Sequence, residues 1–438
     1  ELKEERGGGM MRKRNMVRKG VAVLSVCALA AGLCSCGIDE KSEEKKILRV
    51  VTEDIFYDAV NSAAEFTEGT NSEIQVEIQT LARNKEEREP QIQKLKTEIM
   101  AGKGPDLFLL ECIPENAEIE GGFLIDNPYK TMQSGALASL DTFMEKDSYW
   151  EDGNYNKTFL KAGQYDGRQY IIPMSVCYYV LPRSEDIEEM TGDTLEEWLE
   201  QIRASDDIRL KQALCTFGST HSARWMQPAA DYETKEVLLD KDKWVEFSEK
   251  YFQFRKEAYE EISGKENELY FRPLNKTLLT LYESQIDLQV VPDIEGRKMA
   301  SIMSYGAVSM SSDRKKEAYD FLMLFLNDRT EQYRKKHADD SSMGLPSLYG
   351  YLDGNYMPVQ KTAFEQWGEF PSEEMIQEMQ ESFREIDGAY FLTEGERALN
   401  FDVMSGNSRV TNLNCDIETE FSKIADTAID IYKMLVEE

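Results

Sequence analysis

Hydrophobic and polar positions change period several times along the first part of the chain. ILRVV at 47–51 is a short, mostly apolar run rich in β-branched residues, which predicts a buried strand of an α/β sheet. Phe56, Val60, Ala63 and Ala64 then recur at helical spacing, with Gly69 placed to end that helix. Ile74, Val76 and Ile78 alternate with Gln75 and Glu77, as in a second strand. Ile92, Leu95 and Ile99 mark a second helix that Gly102 and Gly104 stop, and after Pro105 the run 107–110 predicts a third buried strand. Strand, helix, strand, helix, strand is the opening of a parallel sheet covered by helices, so the fold class is α/β. Further on, 170–172 and 176–181 predict strands around Pro173, while 195–202 and 244–254 predict helices. Ala318, Phe321, Leu322 and Phe325 form an amphipathic helix that Ser312 or Asp313 would cap. Ile417, Phe421, Ile424, Ala428, Ile431 and Leu435 repeat over several turns, the pattern of a coiled coil or, in an α/β chain, of a core-facing helix.

The N-terminal segment has a different logic. After Met11 come a basic stretch, the apolar run VAVLSVCALAAGL and then Cys34-Ser35-Cys36-Gly37, the parts of a secretory signal whose apolar run is too short to span a bilayer. The exit resembles the lipobox of bacterial lipoproteins, with Leu33 at the third position before the cut and Cys36 as the lipidated residue. Cys34 stands where that pattern has a small residue. Residues 1–9 fit no export signal, so 1–36 is expected to be an N-terminal extension plus lipoprotein signal peptide, and the polar, aperiodic 37–46 a tether. Of seven cysteines, Cys112, Cys177, Cys215 and Cys415 lie in the body, widely spaced and without a C-x-x-C pair, as disulfides or as buried free thiols.

Composition narrows the functions open to a 438-residue chain that is long enough for two or three lobes. Hydrophobic residues at 41% and charged residues at 30% describe a folded body. Lys and Arg number 51 against 82 Asp and Glu, and a formal net charge of −31 repels phosphate backbones and anionic headgroups, which argues against nucleic-acid binding. Two histidines, His221 and His337, leave little for a Ser-His-Asp triad. Neither G-x-S-x-G nor H-E-x-x-H occurs, so no catalytic residue, metal or cofactor is expected.

Four segments carry a family resemblance in a fixed order: TEIMAGKGPDLFLL at 97–110, SGALASL at 134–140, YDGRQYIIP at 165–173, and SMSSDRKKEAYDFLMLFL at 309–326 with Gly344-Leu345-Pro346 behind it. They are similar to the extracellular solute-binding proteins of family 1, which include the sugar-binding subunits of ABC importers. Between 263 and 304 the chain is compressed and lacks the family's Gly-x-x-Ala-Met strand. The resemblance implies two α/β lobes of the periplasmic-binding-protein type, with a hinge and an interlobe cleft: 47–174 plus 304–347 in one lobe, 175–303 plus 348–438 in the other, and crossings near 173–177, 304–305 and 346–347. It further implies a monomeric, lipid-anchored protein on the extracellular or periplasmic side of the cell membrane that hands a sugar to ABC permease subunits.

Sugars offer apolar C–H faces ringed by hydroxyls, so their sites combine aromatic rings with carboxylates and amides. Tyr178, Trp225, Tyr305 and Trp367, at expected crossings or in loops, are the candidate rings. Glu53 and Asp54 after the first strand and Glu111 after the third are the candidate acids, and Arg224 is placed to receive an acidic sugar. Two other classes fit less well: a sensor that presents captured ligand to a membrane receptor, and a secreted glycoside hydrolase with paired carboxylates such as Glu418 and Glu420. Replacing the lipidated thiol tests the address: Cys36→Ala is expected to move the protein from the membrane fraction to the soluble fraction, and retention on the membrane after signal removal would refute the anchor.

Overall fold

An apolar run can bury both faces only where helices cover both sides of its sheet. The computed structural model describes residues 45–112, 122–151, 155–266, 269–274, 278, 286–326, 357–360, 372–413 and 415–437. Lys46–Glu53 (β1) pairs in parallel with Ile74–Leu81 (β2) on one edge and Leu107–Glu111 (β3) on the other, with Val50 opposite both Ile78 and Leu107. Tyr57–Thr70 (α1) and Lys85–Met100 (α2) make the two crossovers. α1 runs one residue past Gly69, to a cap at Asn71. The stop after α2 is as expected: Gly102 takes a φ of +67° that only glycine adopts without strain, and a Cβ on Gly104 would strike Ile99. Asp106, next in that turn, accepts from the Arg49 amide at 2.8 Å and from Ser312 Oγ at 2.6 Å, tying the start of β3 to β1 and to a distant turn.

The longer elements that follow are Ile171–Cys177 (β4), Tyr179–Arg183 (β5), Leu195–Ala204 (α3), Ile208–Thr220 (α4), Lys241–Ile262 (α5), Asp287–Val290 (β6), Met299–Val308 (β7), Lys315–Met323 (α6), Met357–Pro358 (β8), Glu373–Arg384 (α7), Gly388–Phe391 (β9), Glu394–Leu413 (α8) and Ile417–Glu437 (α9). The main sheet runs β8-β4-β7-β3-β1-β2, with β9 also on β7. β7 is antiparallel to β3 and β4 and parallel to β9. A three-stranded antiparallel sheet holds β5 between β6 and Arg272–Pro273. Ser312 does not cap α6, whose N-cap is Arg314; its hydroxyl accepts from the Arg314 amide and donates to Asp106 instead.

Two hydrophobic cores result. One surrounds the main sheet and includes Val50, Phe56, Leu95, Leu109, Ile172 and Leu322. The other is aromatic, built on Trp198, Trp225, Trp244, Phe247, Tyr251 and Phe421. Successive side chains of a strand point to opposite faces, and the connecting segments use this: Tyr178 and Val180 join the first core while Cys177, Tyr179 and Leu181 join the second. In β7, Ile302 and Tyr305 belong to the first core and Met303 to the second, with irregular register on either side of Ser304. The periodic C-terminal stripe is a core-facing helix: Phe421, Ile424 and Ala428 are buried in the second core, with Tyr432 and Val436 completing the face. Among the described residues Cys112, Cys177, Cys215 and Cys415 are free thiols.

At the carboxyl end of β1, α2 contributes a buried charge. Arg88 is 0% exposed and meets Glu53, 3% exposed, in a two-pronged ion pair at 2.7 and 3.1 Å. Its remaining donors reach the Gly122 and Ala82 carbonyls at 2.6 and 3.0 Å. Glu53→Gln would leave the guanidinium buried without its counter-charge, and is expected to lower the unfolding free energy by about 3–5 kcal/mol in denaturant titration. The double variant Glu53→Leu/Arg88→Met should lose less than the sum of the two single changes; strict additivity would show that the pair is not coupled.

Candidate functional site

β1 and β3 are parallel and adjacent, so both deliver their last residues, Glu53 and Glu111, to the same end of the sheet. β7 runs the other way, and Ser304 lies opposite Glu111 while Tyr305 lies opposite Leu110. Loops converging at such strand ends form the usual ligand crevice of α/β sheets.

The groups at this end are buried and polar. Removal from water pushes the Glu53 carboxyl above its usual range, opposed by the hydrogen bonds and charge of Arg88. Glu111 is buried as well, with Arg83 Nη2 3.8 Å from its Oε2. Tyr305 is 1% exposed and its hydroxyl has no hydrogen-bond partner among the described residues, nor has Thr52 Oγ1 on β1. Burial raises the Tyr305 phenol well above its ordinary value and the Glu53 charge adds to this, so the hydroxyl stays protonated and able to donate. Asp54 is exposed, the first residue of a short 3-10 turn.

Phe123 links this end to a second group of side chains. Phe123 lies under the Arg88 guanidinium, 5.6 Å from ring centre to Cζ, and packs with Tyr390, Leu392 and Met299. Arg224 donates to Ser301 Oγ at 2.8 Å and covers the Tyr179 ring at 4.7 Å. Asp293 accepts from the backbone amides of Gln227, Glu295 and Arg297 and from Arg297 Nε, and burial raises its carboxyl pKa against the pull of Arg297. Tyr179, Arg224, Gln227, Asp293, Arg297, Met299 and Tyr390 enclose a cavity of about 20 Å³.

The candidate residues therefore separate. Glu53, Glu111 and Tyr305 come together at the strand ends, with Asp54 beside them. Tyr178 and Trp225 do not join them, because their rings are enclosed by core neighbours. Tyr178 bonds Ser382 Oγ at 2.7 Å and meets Phe383 edge-on. Trp225 is packed by Trp244, Phe247 and Tyr251 at 5.1–5.5 Å. Trp367, Cys36, His337 and the expected crossing at 346–347 lie outside the described residues. Arg88 was missed, although the sequence marks it: it is four residues before Ile92 and thus shares the apolar stripe of α2. Among the described residues no three metal-ligating side chains gather, and no helix is long and apolar enough to cross a membrane.

No family model matches the sequence, and no curated protein matches it by sequence. Solved structures do match. An extracellular solute-binding protein of family 1 from Alicyclobacillus acidocaldarius has a TM-score of 0.59 and 14% identity, over 90% of this chain and 100% of that one. A periplasmic oligogalacturonide-binding protein from Yersinia enterocolitica has a TM-score of 0.57 and 12% identity, over 89% and 100%. An ABC substrate-binding protein from Listeria monocytogenes, in complex with cycloalternan, has a TM-score of 0.51 and 17% identity, over 88% and 99%. Most of the similar structures named are binding proteins, and designed esterases are also among them. At such identities the likeness is one of backbone architecture. Two cores joined by shared strands, with buried polar groups at the ends of β1 and β3, give this chain the two-lobed α/β fold of the extracellular solute-binding proteins of family 1.

Proposed function

We propose that this chain is the extracytoplasmic, lipid-anchored solute-binding subunit of an ABC importer, and that it captures a carbohydrate between its two lobes for delivery to membrane permeases. The observation that carries the reading is the set of hydrogen-bonding groups buried at the carboxyl ends of β1 and β3, beside β7. Glu111 and the unpartnered hydroxyls of Tyr305 and Thr52 offer one donor-capable phenol, one further hydroxyl and one carboxylate, a combination suited to sugar hydroxyls. Solved proteins of this fold include ones whose names specify binding of maltodextrins, mannobiose and oligogalacturonides.

We assign β4 and β7, near 174 and 303, as strands that pass between lobes. Because Glu53, Glu111 and Tyr305 are nearly closed off from solvent, ligand entry requires the lobes to part about these strands. Closure is then driven by contacts that exist only in the closed state. Glu53 acts by fixing Arg88 and the strand end; Asp54, Glu111, Tyr305 and Trp367 are assigned to the ligand.

Two measurements test this. A saccharide present at a hundred times its dissociation constant is expected to stabilise the folded chain by about 2.7 kcal/mol, read as a rise in Tm across a panel of maltodextrins, mannobiose and oligogalacturonides. Stabilisation by amino acids or polyamines and by no saccharide would overturn the substrate class. Tyr305→Phe removes a hydroxyl that has no partner, so the ligand-free Tm should hold or rise while saccharide affinity falls about tenfold, or ~1.4 kcal/mol; unchanged affinity would take Tyr305 out of the site.

A further inference from the structure

At the opposite edge of the main sheet from β2, a cavity of about 450 Å³ opens between residues 155–158, β8 and α7. Its size is that of a small-molecule site. It shares no lining residue with the groups at the ends of β1 and β3, and β8 lies four strand spacings from β1, roughly 19 Å at ~4.8 Å each.

The lining is rich in unspent hydrogen-bond donors. Gln360 is 1% exposed; its Oε1 accepts from Tyr149 Oη at 3.0 Å, and its Nε2 has no partner among the described residues. Turning the amide over would leave the oxygen unpaired instead, so one head-group atom lacks a partner in either orientation. Lys157 and Arg384 line the same cavity, both exposed, and among the described residues neither forms an ion pair. Acids outnumber cations 82 to 51 along the chain. Gln380 adds a further amide without a hydrogen bond among the described residues, and Phe383 and Ile386 supply an apolar wall.

We propose that this cavity is a second small-molecule site, for a hydroxylated organic acid of about monosaccharide size. Lys157 and Arg384 hold the carboxylate, Gln360 and Gln380 meet hydroxyl or ring oxygens, and Phe383 takes the apolar face. The site is independent of the cleft, and so is its test. Galacturonate and galactose, which differ in carrying or lacking the carboxylate, are titrated calorimetrically into the full chain. Galacturonate is expected to bind at one equivalent and at least tenfold more tightly than galactose. Lys157→Gln/Arg384→Gln replaces two exposed side chains and therefore folds; it is expected to lose tenfold or more in galacturonate affinity while the Tm response to the cleft saccharide is unchanged. Absence of galacturonate binding would mean that the cavity holds water only, and would overturn the proposal. Equal binding of galactose, or unchanged affinity in the double variant, would overturn it as well. A chain that responds to no oligosaccharide yet binds galacturonate through these two cations would leave this site standing and remove the cleft reading alone.

Discussion

Between Ser301 and Ala307, β7 must pair on both edges while its side chains serve two separate cores. A regular strand cannot direct Ile302, Met303 and Tyr305 to the positions they occupy without a change of register, and the irregularities around Ser304 provide it. The extra turn of the backbone is stabilised by a buried bond between the Ser304 and Ser175 hydroxyls, 2.5 Å apart on neighbouring strands. Close packing explains the small residues: a Cβ on Gly306 would collide with Leu322 of α6, so a larger residue there would push the helix from the sheet. Everything on either side of β7 takes its position from this strand.

The ends of β1 and β3 depend on it in turn. Burying Glu53 is tolerable only because Arg88 neutralises it and spends its other donors on backbone carbonyls. The same logic recurs at Asp293, held by three backbone amides and Arg297, whereas Glu396 accepts from the amide and hydroxyl of Thr393 at the start of α8. Each is a fixed carboxylate inside protein. Tyr305 differs in that its buried hydroxyl has no hydrogen-bond partner among the described residues.

How much of this was legible in the sequence follows from how strongly each segment signals its period. β1, α1, β2, α2 and β3 read correctly because apolar spacing changes cleanly from two to nearly four and glycines mark the turns. β7 did not read as a strand: MASIMSYGAV mixes serine, glycine and alanine into a fully buried segment, and small residues carry little hydrophobic signal even where the packing demands them. β9 was not read from the sequence: GAYF is four residues long and too short to show a period. Trp225 was misplaced because SARWMQ has the polarity of a loop, whereas a single 3-10 turn tucks the indole among four other rings. The acidic balance described the exterior faithfully, but said nothing of Arg88, whose partner is close in space and 35 residues away in sequence.

The thiols carry one more consequence. Cys112 and Cys215 are deprived of water, which raises both above the usual thiol range and keeps them in the unreactive protonated form. None of the four is cross-linked, so the native topology needs no oxidant to form it and no reductant can undo it. The body is therefore held by packing, hydrogen bonds and buried ion pairs such as Glu53–Arg88 rather than by cross-links among these four cysteines.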